Sequence, residues 1–336
     1  MADDDGGRRL GRALLDRPAQ HSVRAIASVL LEDVIAAHAG LESDEADALH
    51  DLRVAMRRLR SWLRAFRPEL SDTVRGRTRR KLRALASATN DARDAEVTLA
   101  FIERQADVPP RARAAIRELV AELEKACVDS ARDTRRALDR DLRKTTRALA
   151  EQIESWWERH RLDESSTPRP MSAVFADAIR HQVRRMASGL ARIDRTDKAD
   201  DVHRARIAAK RLRYLLEPLD EEMEAAEPIR QLRSLQRQLG DARDAHRIAV
   251  SLIREVGERA ARDARGRALA ASGIVPDGDA VPRSVAGTRS ALAELARRAQ
   301  AAREAAHAEF AAQWGSEALA SFVERVETIA ARVEAA

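Results

Sequence analysis

The residues best placed to do chemistry are His50, Arg53, Arg57, Arg60 and Arg64, which follow one another at helical spacing. At 100° per residue the four arginines fall within about 60° of one another, beside the histidine. A guanidinium stays charged at physiological pH and offers a planar fork that matches phosphate oxygens two at a time. A row of such forks suits a repeating anion. Leu52, Met56, Leu59, Leu63 and Phe66 fall on a different arc, the buried face of an amphipathic helix, so the basic stripe borders the core. Between His50 and Arg83 twelve basic side chains stand against three acids, Asp51, Glu69 and Asp72. Internal ion pairs can neutralise little of that charge, and a bound anion is the natural counterweight.

The stripe recurs. His203, Arg206, Lys210 and Arg213 repeat it 153 residues later, with Lys210 in the slot of Arg57. Two more blocks match: His21, Val23, Arg24, Ala27, Ser28 and Leu30 with His181, Val183, Arg184, Ala187, Ser188 and Leu190, and Arg80, Leu82, Arg83 and Leu85 with Arg230, Leu232, Arg233 and Leu235. Arg237 extends the last row. Asp91-Ala92-Arg93-Asp94 and Asp241-Ala242-Arg243-Asp244 follow the third block in both halves. Three ordered blocks point to an internal duplication. The expected binding residues are therefore His21, Arg24, His50, Arg53, Arg57, Arg60, Arg64, Arg80, Arg83, His181, Arg184, His203, Arg206, Lys210, Arg213, Arg230, Arg233 and Arg237.

The elements that must position these side chains are helices. Of the 336 residues 44% are hydrophobic but only 3% aromatic, and Ala, Leu, Arg and Glu dominate, which predicts an all-α chain. The net charge is +6, and only Lys81, Lys125, Lys144, Lys198 and Lys210 are lysines among 61 basic residues. Breaks near Pro18, Pro68, Pro109, Pro168, Pro218, Pro228 and Pro276 predict about ten helices. Residues 161–171 read as a linker between a first helical-bundle half, 15–160, and a second, 172–336, with a loop from about Gly266 to Gly287. Gly240 reads as a helix stop, and the paired aspartates after it as caps of a new helix.

His50-x2-Arg53-x3-Arg57-Arg58-Leu59-Arg60 and His203-x2-Arg206-x3-Lys210-Arg211-Leu212-Arg213 resemble the signature of the CHAD domain, the conserved histidine alpha-helical domain. Leu239 to Asp244 resembles that family's third landmark. The likeness covers roughly residues 15 to 335, and it departs from the pattern at Asn90, which stands where the later copy has Gly240, and in the long loop around Gly266 to Val285. The resemblance implies two pseudo-symmetric antiparallel four-helix bundles around a basic central groove or pore that binds inorganic polyphosphate, without catalysis.

Other chemistries are weaker. Cys127 is the single cysteine, which excludes an internal disulfide framework and fits a cytoplasmic setting. Metal binding by the paired histidines is opposed by an arginine three residues on, and phosphohistidine chemistry has no further support; a hydrogen bond to the anion or a helix contact suits them better. No glycine-rich phosphate loop, His-Glu-x2-His or cysteine nucleophile setting occurs, so no catalytic residue, metal or cofactor is expected. Nucleic acid is the rival partner, but Trp62, Trp156, Trp157 and Trp314 do not interleave with the stripe as a stacking platform. No targeting segment or apolar run long enough for a membrane is read, and the helices of 288–335 could dock the protein on polyphosphate granules. Oligomeric state is not written in the sequence.

Overall fold

Pro18 and Pro170 each stand just before a long helix, where a missing N–H costs nothing and a fixed φ suits the first turn. In the computed structural model of the chain they face one another in an isolated antiparallel bridge, in which Ala19 N donates to Arg169 O (3.0 Å) and Met171 N to Arg17 O (2.8 Å). The structure describes residues 12–42, 48–105, 113–160, 169–196, 199–219, 223–273 and 288–336. These form ten helices: α1 (Arg12–Leu15), α2 (Ala19–Glu42), α3 (Ala48–Ala65), α4 (Gly76–Glu103), α5 (Arg113–Arg159), α6 (Met171–Thr196), α7 (Ala199–Leu216), α8 (Ala226–Ser272), α9 (Thr288–Gln313) and α10 (Ser316–Ala335). The chain is all-α, and among the described residues no strand occurs.

Two compact units are present. The first takes the described residues of Met1–Asn90, Asp133–Arg237 and Gln313–Ala336; the second takes those of Asp91–Arg132 and Gln238–Ala312. Each draws on both halves of the sequence, and α4, α5 and α8 contribute residues to both. In the first unit α2 packs on α3, α6 packs on α7 and α10, and α2 meets α6 as α3 meets α7. Its core holds Leu52, Met56, Leu59 and Leu63 of α3, the face expected from periodicity, with Phe66, Phe175 and the α10 residues Phe322, Val326, Ile329 and Val333. In the second unit Ile102, Ile116, Leu119, Ile248, Leu252, Leu292 and Leu295 make a separate core. There the buried Arg259 is clasped by Glu255 (2.7 Å), Glu118 (2.8 Å) and Glu122 (3.5 Å).

Helix ends follow local chemistry. α3 and α7 carry Asp51 and Asp200 with Asp201 in their first turns and Arg64 and Arg213 in their last, each sign matched to the helix dipole. α8 ends at Gly273, whose φ of +66° is the left-handed cap that glycine takes without strain.

Three expectations need correction. α8 runs unbroken through Gly240, so Asp241 and Asp244 lie inside a helix and cap nothing; Asp91 and Asp94 likewise lie within α4. A glycine in a helix interior costs only about 1 kcal/mol, and burial of Leu239, Ala242, Ala245 and Ile248 around it outweighs that. Pro228 lies in the first turn of α8, where proline is tolerated, as a break near it requires, but Gly266 lies inside α8, which runs on to Ser272 instead of giving way to a loop there. Most of that loop and of the expected linker lies outside the described residues. Finally, His21 is the third residue of α2 but His181 the eleventh of α6, so the first matching block does not occupy equivalent depths in its two helices.

A candidate anion-binding site

α3 presents Arg53, Arg57 and Arg60 half-buried along the edge of its core face, with Arg64 exposed at its end. This is the arrangement that the periodicity predicts. Arg60 lies close enough to Arg83, Arg57 and Arg64 to feel their charge, and Arg64 likewise feels Arg185 and Arg83. Arg211 of α7 completes the group, near Arg64, Arg185 and Arg60. Among the described residues no carboxylate lies within ion-pair distance of Arg57, Arg60, Arg64, Arg83, Arg185 or Arg211.

The crowding has an electrostatic signature. Burial, and then the neighbouring guanidiniums, push the pKa of Arg211 down to about 10, and the same causes lower Arg60 and Arg64. All remain charged at neutral pH, so the folded chain holds unrelieved like charge. A cleft of about 760 Å³ carries the cluster onto α6 and α7, lined by Arg64, Arg180, Arg184, Arg185, Arg192, Arg204 and Arg211 with His181 and Asp177; of these Arg180 pairs with Asp177, Glu327 and Glu334, Arg184 with Glu327, and Arg192 and Arg204 with Asp201. The two helices meet here because Gly189 lets them: a Cβ on it would stand 3.2 Å from Ala205 Cα and 3.3 Å from its Cβ.

Other expected residues are balanced by acids. Glu217, just past α7, receives Arg213 at 3.0 Å, Arg58 at 3.7 Å and Arg233 at 3.8 Å, so one carboxylate ties arginines from α3, α7 and α8. The second copy of the stripe is therefore not short of carboxylates. Arg184 lies 3.7 Å from Glu327, and Arg230 pairs with Glu227. Arg237 is exposed, donating to Ser234 Oγ at 3.4 Å, while His50 and Arg80 are exposed on α3 and α4. His203, Arg206 and Lys210 are half-buried along α7 and, like Arg53, make interactions of their own within the chain.

Arg24 is a correction: it is 0% exposed and cannot reach a solvent anion. Its guanidinium donates to Thr73 Oγ1 (2.6 and 2.9 Å), Asp72 Oδ1 (2.7 Å) and Gln20 O (2.5 Å), and it lies 3.6 Å from the centre of the Trp156 ring. Trp156 Nε1 donates to the other oxygen of Asp72 at 2.8 Å. Burial lowers the Arg24 pKa to about 10 and Asp72 only partly opposes it. His21 joins the same cluster, 5.4 Å from Trp156 and 5.2 Å from Trp157, its pKa lowered by burial, Arg24, Arg17 and His160. The pair at α2 is thus a core strut.

Sequence reasoning missed Arg185, Arg211, Arg58, Arg180, Arg192, Arg204 and Glu217. A signal existed for two of them, since Arg58 and Arg211 occupy one repeated position, about 100° round the helix from Arg57 and Lys210. Among the described residues no group of three or more His, Cys, Asp or Glu could hold a metal, and no helix is long and apolar enough to cross a membrane. Cys127 is half-buried, and burial with Glu96 and Glu124 raises its pKa, the reverse of what a nucleophile needs.

Residues 25–252, more than half of the chain, match the CHAD domain. Among solved structures, the CHAD domain from the plant Ricinus communis is similar at 22% identity, with 93% of this chain and 92% of that one covered and a TM-score of 0.57. PptA from Streptomyces chartreusis is similar at 16% identity, over 89% of this chain and 99% of that one, with a TM-score of 0.61. At these identities the two structures speak for the fold. No curated protein matches the chain.

Proposed function

This chain belongs to the CHAD domain family, and on that premise we propose that its arginine cluster binds inorganic polyphosphate as a long linear chain, holding the polymer without cleaving it. The observation that carries the reading is the group Arg57, Arg60, Arg64, Arg83, Arg185 and Arg211, gathered from four helices with no carboxylate partner among the described residues. Like charges held together and partly desolvated raise the energy of the free protein, and an anion threading between them removes that repulsion. The cleft on α6 and α7 continues the row, so a polymer could engage successive forks.

Polymer length is the discriminating property. A single exposed ion pair contributes only about 0.2–1 kcal/mol, so one orthophosphate gains little, whereas a chain that spans many guanidiniums binds them as one multivalent ligand. Such contacts read charge spacing and no bases, which sets this surface apart from one that stacks nucleobases. The test is competition against a labelled long polyphosphate by orthophosphate, triphosphate and unlabelled polymer at equal total phosphate. The polymer is expected to compete at least a hundredfold better than orthophosphate. Equal competition overturns the proposal.

A further inference from the structure

Beside the cationic cleft the first unit has a second cavity, of about 250 Å³, whose chemistry is different. Ile26, Val29 and Leu30 of α2 form one wall, at the i, i+3, i+4 spacing that places them on one helix face, and Trp62 with Ala65 of α3 forms another. Val29 remains 36% exposed there, a large apolar side chain left accessible. Polyphosphate has no apolar group and would leave these walls unused.

The cavity nevertheless shares Arg64, His181, Arg185 and Arg211 with the cationic cleft. Its apolar walls and the carboxylate-free guanidiniums are thus parts of one continuous surface. Tyr214 also lines it, is only 7% exposed, and among the described residues nothing hydrogen-bonds its hydroxyl. A buried hydroxyl without a partner carries a desolvation cost that a ligand oxygen would remove. Glu217, on the side of Arg58, repels an anion from that end and leaves Arg64, Arg185 and Arg211 to receive it.

We propose that this cavity binds a small amphipathic anion, an aromatic or short-chain alkyl phosphate or sulfonate, with its apolar group against Val29, Leu30 and Trp62 and its head among Arg64, Arg185 and Arg211. The apolar end gives selectivity for organic over inorganic phosphate, because only the former removes those walls from water. The shared arginines make the two ligands competitors. Occupation of the cavity is then a means by which a small metabolite displaces the polymer.

The probe is 8-anilinonaphthalene-1-sulfonate, an aromatic sulfonate whose fluorescence rises in apolar surroundings, titrated into the full chain. Saturable binding of one dye per chain is expected. Ala25→Phe, which fills the cavity from α2, and Ser61→Phe, which fills it from α3, should each weaken the dye at least tenfold while polyphosphate affinity stays within twofold. Tyr214→Phe should weaken the dye several-fold, Arg211→Gln should weaken both ligands, and long polyphosphate should displace the dye. The proposal is overturned if either filled variant, melting cooperatively as the parent does, binds the dye as the parent does, or if dye binding does not saturate. Dye binding that meets these expectations while polyphosphate fails to bind upholds the cavity and overturns the polyphosphate reading instead.

Discussion

Among the described residues Glu217 is the one acid within ion-pair distance of Arg58, Arg213 and Arg233, and replacing it with glutamine separates stability from binding. The carboxylate is 12% exposed and its pairs measure 3.7, 3.0 and 3.8 Å. At about 0.2–1 kcal/mol each, their combined loss should destabilise the fold by about 0.6–3 kcal/mol. Binding should move the other way. Glu217→Gln raises the local charge by one unit and releases guanidiniums on three helices from the carboxylate they share. One added phosphate contact of about 1 kcal/mol corresponds to roughly a fivefold gain in polyphosphate affinity, with the slope of log K against log salt steeper by about 0.7, the value for one more single-strand contact. The assay is a fluorescence anisotropy titration of labelled polyphosphate at four salt concentrations, alongside thermal melts of parent and variant. A variant that is less stable yet binds with unchanged affinity and unchanged slope would show that Arg58, Arg213 and Arg233 do not meet the polymer.

Arg24→Met should cost about 1–3 kcal/mol, because it takes the guanidinium donors from the buried Thr73 hydroxyl while the half-exposed Asp72 stays solvated, and polyphosphate affinity measured well below its melting temperature should stay within twofold; a large loss of affinity with little loss of stability contradicts the buried role. Gly189→Ala pushes a methyl against Ala205 and should cost about 1–3 kcal/mol by overpacking, read as a lower melting temperature. His21 has its pKa depressed below 6.5, chiefly by burial, so the unfolded chain binds the proton more readily than the fold does. Its contribution is complete above pH 6.5 and is lost as pH falls through the folded pKa, so melting temperature should drop on acidification from pH 7.5 to 5.5 and His21→Gln should flatten that drop.

Much of the architecture was legible because helices advertise their buried face. The α3 residues Leu52, Met56, Leu59 and Leu63 keep helical spacing, and all four are buried. Prolines at 18, 68 and 218 mark real boundaries since each removes a donor that a helix interior needs. Gly240 misled because glycine's helix penalty is small beside what packing on both sides of it supplies. The site was half legible. Spacing placed Arg57, Arg60 and Arg64 on one edge, but it carries no information on which helices meet, so Arg185 and Arg211 emerged only from the packing of α7 on α3 and of α6 on α7. Charge type alone could not separate the clasped Arg24 from the solvent-facing Arg184, since Asp72, Thr73 and Trp156 come from distant parts of the chain. Glu217 was overlooked for a related reason: its partners on α3 and α8 are brought to it by the fold.

The central claim is that a cluster of guanidiniums without acid partners is a polyphosphate site. Its most direct test is titration of the parent and of Arg57→Gln, Arg64→Gln, Arg211→Gln combined with long polyphosphate and with single-stranded DNA and RNA of matched charge, at one near-physiological salt concentration. Three contacts at about 0.2–1 kcal/mol each predict a loss of about 3- to 150-fold for polyphosphate, with the parent favouring polyphosphate over either nucleic acid. Undiminished polyphosphate binding by a folded triple variant, or tighter binding of nucleic acid by the parent, contradicts the account.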